Sequence, residues 1–235
     1  MSNLNLAIVI ATFQRKDGRS PFYLKRALDS VFSQTYQNFK IFLIGDKYEN
    51  ESEVLSILDG YDKSKIFFKN LPFAKERDRY TGMVLWHYGG ITAMNEGIKQ
   101  SLDEGYEYVA HLDHDDFWEK NHLEEIANCI KITNADWVCT KSHFLHGRIL
   151  PSHTEENLYI DFLPRPCELI HSSVCMNFKK IPLRYRDVFE ETGGNGLPAD
   201  ADLWDRCYYY FLQNQIKSIN VNKITCYHVE ERQGI

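Results

Sequence analysis

Short continuous apolar runs alternate along this chain with longer segments whose apolar residues recur at helical spacing. Leu6–Ala11 is the first run, and its unbroken apolar character reads as a central strand covered on both faces. Thr12-Phe13-Gln14-Arg15 forms its polar exit, and a loop from Lys16 to Ser20 turns at Gly18. Ser20-Pro21 fits the N-cap and first position of a helix, whose inner face is Leu24, Ala27, Leu28, Val31 and Phe32. A second strand, Lys40–Ile44, ends in Gly45-Asp46. Asn50 and Glu53 have the spacing of a capping box ahead of Val54, Ile57 and Leu58, and Ile66–Phe68 is a third, short strand. Strands alternating with helices in this way predict parallel pairing through right-handed crossovers.

Asn70–Tyr88 breaks the rhythm, mixing Lys75, Glu76, Arg77, Asp78 and Arg79 with Trp86, His87 and Tyr88. It reads either as a mobile loop over a site or as an ordinary surface insertion. Gly89-Gly90 then opens a helix carrying Ile91, Met94, Ile98 and Leu102, which Gly105 closes. A strand at Tyr108–Leu112 follows, then a helix at Glu119–Lys131 with Leu123, Ile126, Ala127 and Ile130 inward, then a buried strand at Trp137–Cys139. Beyond it strands shorten, and Pro151, Pro164, Pro166 and Pro182 interrupt. A turn-rich loop, Gly193–Pro198, delivers Asp200 and Asp202 to a helix whose expected buried face is Leu203, Trp204, Cys207, Tyr208 and Phe211. A last strand, Lys223–Tyr227, leads to His228 and the polar tail Glu230-Glu231-Arg232-Gln233. No low-complexity linker or internal repeat divides the chain, so residues 1–235 are expected to form one α/β domain on one sheet.

The chemistry concentrates where the Tyr108–Leu112 strand ends in Asp113, Asp115 and Asp116. Carboxylates are poor strand formers, so they mark the carboxyl end, where open α/β sheets bind ligands. Like charges this close repel, and a hard divalent cation with oxygen ligands is their usual partner. The plainer reading is that one Asp caps the next helix and the others are solvated. Thr12 and Asp46 also fall at predicted strand ends, and in a parallel sheet those ends share one edge. No Gly-x-Gly-x-x-Gly follows the first strand, which disfavours a dinucleotide site.

Composition narrows the classes further. Of 235 residues 43% are apolar, enough for a full core, and the net charge of −6 argues against a general nucleic-acid binder, which needs clustered Lys and Arg. The six cysteines, Cys129, Cys139, Cys167, Cys175, Cys207 and Cys226, form no Cys-x-x-Cys pair. They fall mostly in apolar runs and read as reduced core thiols, which suits the cytoplasm. Met1–Leu6 lacks the pattern of a signal peptide, and no apolar run reaches membrane-spanning length. That argues against an integral anchor and permits peripheral membrane contact.

In chain order, Ile8–Arg15, Leu28–Val31 with Gln34-Thr35-Tyr36, Ile44–Asp46, Ala93–Gly97, Leu112–Trp118 and Asp200–Arg206 resemble the motifs of family 2 glycosyltransferases. The resemblance implies the GT-A fold, a single Rossmann-like domain with a central, mostly parallel sheet flanked by helices. It implies a nucleotide-binding half at about 1–118 and an acceptor-binding half at about 119–235. It implies an inverting hexosyltransferase that takes a nucleotide-sugar donor, with UDP the expected nucleotide, and a glycan or glycolipid acceptor in surface polysaccharide or oligosaccharide synthesis. Asp46 would accept a hydrogen bond from the base, and Thr12 would line the same pocket. Phe13, Arg15, Asn95 and His114 would belong to the nucleotide-sugar site, with Asp113 near the ribose. Asp115 would hold Mn²⁺ or Mg²⁺ on the diphosphate, and His228 would help bind the metal or the diphosphate. Asp200 would be the general base, and it has a plain reading as a helix cap. Asp202, inside the first helical turn, suits the macrodipole instead. Trp86, Trp118 and Tyr208 are candidates for stacking on sugar rings, with core packing the better reading for Tyr208. Two departures stand out: Met94 where many members have Arg, and Ala199 where many have Glu before the late Asp. The rivals are a non-catalytic binder of nucleotide or glycan and a sugar nucleotidyltransferase. No sugar, linkage or oligomeric state follows from the sequence.

Overall fold

The seven residues of Leu6–Thr12 (β1) are buried except for Ala11, because neighbours pair on both sides and helices cover both faces. The computed structural model describes residues 4–229; Met1–Asn3 and the polar tail from Glu230 lie outside the described residues. After β1 come α1 (Ser20–Phe32), β2 (Phe39–Gly45), α2 (Glu51–Leu58), β3 (Ile66–Asn70), α3 (Lys75–Arg79), α4 (Gly82–Tyr88) and α5 (Ile91–Asp103). The chain continues with β4 (Tyr108–His111), β5 (Phe117–Trp118), α6 (His122–Thr133), β6 (Trp137–His143), β7 (Ile149–Leu150) and β8 (Tyr159–Asp161). It closes with β9 (Val174–Asn177), α7 (Val188–Thr192), α8 (Ala199–Asn214) and β10 (Ser218–Tyr227).

Among the described residues ten strands form one sheet in the order β3-β2-β1-β4-β9-β6-β10-β5, with β7 on β6 and β8 on β10. The longest registers, β1 with β2 and β10 with β6, are parallel, as are β1 with β4 and β2 with β3. β9 is antiparallel to both β4 and β6. Two reversals leave β6 and β10 running the same way as β1, so the carboxyl ends of all the long strands meet at one edge.

Alternation along β1 divides the core into two layers. Leu6, Ile8 and Ile10 face α1 and α6, packing with Leu24, Leu28, Leu123 and Ile126. Ala7 and Val9 face α5 and α8, with Met94, Ile98, Leu203, Trp204 and Phe211. Gly97 permits the closest approach: a Cβ there would lie 2.5 Å from Val9 Cγ1. Among the described residues no helix is long and apolar enough to cross a membrane. Five of the cysteines are buried thiols, as expected, and Cys167 is exposed.

Several local expectations are corrected. Ser20 does not cap α1; its hydroxyl accepts from Arg15 N and donates to the Phe13 carbonyl, tying the exit of β1 to the helix start. Asn50 occupies the N-cap of α2 but makes no side-chain cap bond, because its carboxamide accepts from Ser52 instead. Residues 70–88 are largely helical. Helices this short are marginal alone; buried contacts of Glu76 and Arg77 fix α3. Tyr208 is half-buried beneath Arg165. Trp118 is buried, stacks on His122 and donates to the Ser172 carbonyl, so it presents no free face to a sugar.

Candidate active site

The shared edge gathers the expected residues into a cluster after β2, an acidic centre after β4 and a carboxylate from α8. In the first, Asp46 leaves β2 with its amide bonded to the Thr12 carbonyl at 2.7 Å. That bond carries its side chain under the sheet edge, where it is only 3% exposed. Its Oδ2 accepts from Arg77 Nε at 2.7 Å, while its Oδ1 is buried without a partner. Burial pushes the Asp46 carboxyl above its ordinary range, and the Arg77 charge offsets part of that. Arg77 itself lies over the Phe13 ring, its guanidinium carbon 3.4 Å from the centroid. Thr12 shares a 2.7 Å hydroxyl bond with Tyr48. His114 packs edge-on beneath Phe13, with burial lowering its pKa and its Nε2 unpartnered.

The acidic centre separates its three carboxylates by role. Asp113 Oδ1 accepts from His171 Nδ1 at 2.8 Å, and His171 Nε2 meets the Tyr185 hydroxyl at 2.6 Å. Burial opposes the charge on Asp113, but the His171 imidazolium holds its carboxyl down at about 2; His171 is raised in return against its own burial. Asp116 is fully buried and takes three donors: Ser172 Oγ at 2.6 Å, Val229 N at 3.1 Å and His228 Nδ1 at 3.0 Å. Burial pushes the Asp116 carboxyl up. It also works against charge on His228, yet the carboxylate beside it lifts the imidazole to about 9. With two further donors on Asp116, the ionic form of the pair is the one favoured. Asp115 stays half-exposed; Arg26 donates to its carbonyl, and Arg15 lies 4.0 Å from its carboxylate.

Asp200 enters from α8, at a helix N-terminus. Burial raises its carboxyl pKa and Asp113 adds to the rise, while His171 and the amides of Ala201 and Asp200 favour the charged form. No other side chain hydrogen-bonds to it among the described residues. Asp202 is different: Arg186 and Arg206 grip it at 2.8–3.0 Å. Burial opposes that charge, but the two guanidiniums prevail and its carboxyl is lowered. Ion pairing therefore disqualifies it as a base more firmly than the helix dipole does.

The Asn95 carboxamide pairs in both directions with the backbone of Tyr185, at 2.8 and 3.2 Å, and so clamps the segment that carries Tyr185 onto α5. His228 sits on Asp116 rather than beside Asp115 alone. Arg77, His171 and Tyr185 were missed by sequence reasoning, since single polar residues in irregular segments carry no spacing signal.

Among the described residues no three His, Cys, Asp or Glu side chains cluster tightly enough to hold an ion unaided. The residues nevertheless fit a shared cation. Asp115 offers carboxylate oxygens, which suit Mg²⁺ or Mn²⁺. His228 has its Nδ1 on a carboxylate, the outer partner that metal-bound histidines usually keep, and its Nε2 makes no hydrogen bond among the described residues. Diphosphate oxygens would have to supply further ligands.

Comparison with known proteins agrees with this geometry. Residues 7–196 match the family described as glycosyl transferase family 2. An uncharacterized glycosyltransferase of Acanthamoeba polyphaga mimivirus is 37% identical over 238 residues, covering 98% of this chain and 96% of the relative. The structure of S. aureus TarS residues 1–349 in complex with UDP superimposes with a TM-score of 0.70 at 15% identity, covering 97% of this chain and 61% of that one. A mannosyltransferase from Pyrobaculum calidifontis, in complex with GDP-Man and Mn²⁺, does so with a TM-score of 0.61 at 9% identity, covering 100% of this chain and 59% of that one. At those identities the likeness speaks for the GT-A fold alone.

Proposed function

Because the chain belongs to glycosyl transferase family 2 and is a glycosyltransferase of GT-A fold, we propose that it moves a sugar from a nucleotide-sugar donor to a hydroxyl of a glycan or glycolipid, with inversion. The observation that carries this reading is Asp46 Oδ1, a buried acceptor with no partner, beside Phe13 and at the same sheet edge as Asp113, Asp115 and Asp116. A buried orphan acceptor is costly, about 1–3 kcal/mol, and a base N–H would satisfy it. Phe13 and Arg77 would flank the base, Thr12 would close the pocket, and UDP is the expected nucleotide. Asp113, held ionised by His171, would face the ribose. Asn95 would act at one remove by holding the Tyr185 segment.

Asp115 and His228 would hold Mn²⁺ or Mg²⁺, which would supply Lewis-acid stabilisation of the departing nucleoside diphosphate. Asp200 would take the proton from the attacking hydroxyl. Its raised pKa helps here, because a stronger base retains the proton as the new bond forms. Arg15 and Arg26 would keep Asp115 in place. The reaction would serve surface polysaccharide or lipid-linked oligosaccharide synthesis in the cytoplasm, at a membrane face when the acceptor is lipid-borne. The nucleotide-binding half would end near residue 118 and the acceptor would bind the remainder.

Thermal unfolding with UDP, GDP, dTDP or CDP, each with Mn²⁺ and again with EDTA, tests the reading. One nucleotide should raise the midpoint, and EDTA should remove the rise; Asp115→Ala should behave as wild type in EDTA. No rise with any nucleotide would refute it. Product analysis then separates the rivals: nucleoside diphosphate from a transferase, pyrophosphate from a nucleotidyltransferase, neither from a binding protein.

A further inference from the structure

An open cavity lies away from Asp46 and Phe13. It measures about 540 Å³ and lies on β6, β7 and β10, lined among others by Lys141, Ile149, His153, Thr154, Asn222 and Ile224. That volume is within the range of small-molecule sites. No acidic side chain lines it, although Glu155 and Glu156 follow Thr154 in sequence. Lys141 donates one long bond, 3.3 Å, to the His153 carbonyl and meets no carboxylate at ion-pair distance among the described residues. Asn222 donates to the Glu155 carbonyl, leaving its Oδ1 without a donor. At the floor, His153 Nε2 meets Asn220 Oδ1 at 2.7 Å, while Asn220 Nδ2 faces Cys139. The cavity thus offers a cation, an amide acceptor and a hydroxyl, with apolar walls from Ile149 and Ile224.

The strand register ties this cavity to the acidic centre. Lys141 pairs with Ile224, and His143 pairs with both Ile149 and Tyr227. Paired residues share a face, as do residues two apart on one strand. The same face therefore carries Lys141, His143, Tyr227 and, opposite Tyr227, Phe117. The last three rings stack in a ladder: His143 on Tyr227 at 4.9 Å, and Tyr227 on Phe117 at 4.8 Å with an interplanar angle of 1°. Arg26 lies 5.3 Å over Phe117 and binds the Asp115 carbonyl. Cys139 and Trp137, earlier on β6 at the same parity, pack with Trp204 of α8, so this is also the face from which Asp200 enters. From Ile224 to His228 the track spans about 13 Å at roughly 3.3 Å per residue.

We propose that this track is the acceptor subsite and that it selects an acidic glycan, whose carboxylate or phosphate pairs with Lys141 while its sugar rings lie along His143, Tyr227 and Phe117. Stacked on one another, these rings present their edges as an apolar rail along which the sugars run, and a lysine without a carboxylate partner in a cavity without acids suits an anion. The inference rests on the transferase reading, because it takes the reacting hydroxyl to lie at the Asp115 end of the ladder.

The test uses the full chain and three disaccharides of one backbone: neutral, with a terminal uronate, and with a terminal phosphate. Binding is followed through the histidine ring NMR signals, assigned with His143→Gln and His153→Gln. An acidic form should shift both His143 and His153 and bind about tenfold or more tighter than the neutral one; the stronger of the two identifies carboxylate or phosphate as the anion. Lys141→Met should remove that preference and leave neutral binding unchanged. Equal affinity for neutral and acidic forms, a preference that survives Lys141→Met, or no shift with any disaccharide would each overturn the inference. A parallel melt with UDP, GDP, dTDP and CDP, each with Mn²⁺, separates the two failures. A shift with one nucleotide in both wild type and Lys141→Met without acid selectivity refutes the subsite alone; no shift with any nucleotide refutes the transferase reading.

Discussion

Replacing Asp46 by Asn isolates the contact on which nucleotide recognition is argued to depend. The side chain keeps its size, but one carboxylate oxygen becomes an NH₂. With the remaining oxygen on Arg77 Nε, now bonded at 2.7 Å, the NH₂ points where Oδ1 lies buried and unpartnered. A base N–H docking there would meet a donor instead of an acceptor. Loss of a hydrogen bond to a charged group is worth about 1.5–3 kcal/mol, or roughly 10–150-fold in Kd. The unliganded protein changes less. Removing the charge relieves a carboxylate that burial already disfavours, yet leaves Arg77 without its anion. Breaking a buried pair costs about 3–5 kcal/mol; with Arg77 24% exposed and that relief in the opposite direction, about 1–2 kcal/mol is expected. Calorimetric titration of UDP in Mn²⁺ reads the first number and urea unfolding the second. There is also a pH signature. The raised Asp46 carboxyl should protonate above its ordinary 3.8, so wild-type affinity should begin to fall above that pH on acidification, while Asp46→Asn shows no such step. A Kd within about twofold of wild type, measured on folded variant, would refute the assignment of Oδ1 to the base.

Asp200→Asn should keep the nucleotide-dependent melting shift and lose transfer by about 100-fold or more; in wild type the acid limb of kcat/KM should fall above the ordinary 3.8, because burial raises this carboxyl, and normal turnover by the variant would remove Asp200 as the base. His122 is buried between Trp118 and Thr225, and burial depresses its pKa to about 3 from 6.5. The unfolded chain takes up this proton first, so the stability is complete above pH 6.5 and is lost as pH falls toward 3. Urea midpoints between pH 6.5 and 4.5 should show a decline of about 2–3 kcal/mol from this group, and His122→Gln should flatten it; an unchanged slope would show that His122 charges freely in the fold. Gly97→Ala forces a methyl to 2.5 Å from Val9 Cγ1 and should destabilise by about 1–3 kcal/mol, read by denaturant unfolding, with a neutral result meaning that α5 slides away from β1 without penalty.

Much of the first half was legible because burial on both faces writes itself as continuous apolar runs. Leu6–Ala11 became β1, and the acid-tipped run at Tyr108–Leu112 became β4 with Asp113 at its end. The antiparallel β9 was not legible: Val174–Asn177 is only four residues long and pairs through partners remote in sequence. α3 was hidden because tertiary contacts of Glu76 and Arg77 hold it, not propensity or caps. At the site, Asp46, Asp113 and Asp200 could be named from motif position. Their partners Arg77 and His171 could not, since each is a lone residue whose meaning comes from what folds against it.

The antiparallel β9 wedged between β4 and β6 also has a consequence for the order in which this chain folds. β4 emerges early, yet the edge it offers is filled only by residues 174–177, more than sixty positions later. Through that interval a nascent chain carries an open apolar edge, the kind of surface that recruits stray strands. Contacts of such sequence separation slow folding. Asp113 likewise waits for His171. A chain released before residue 177 should therefore possess β1 to β4 in sequence but be prone to aggregation, and the first half should acquire protected amides only when β9 closes the sheet.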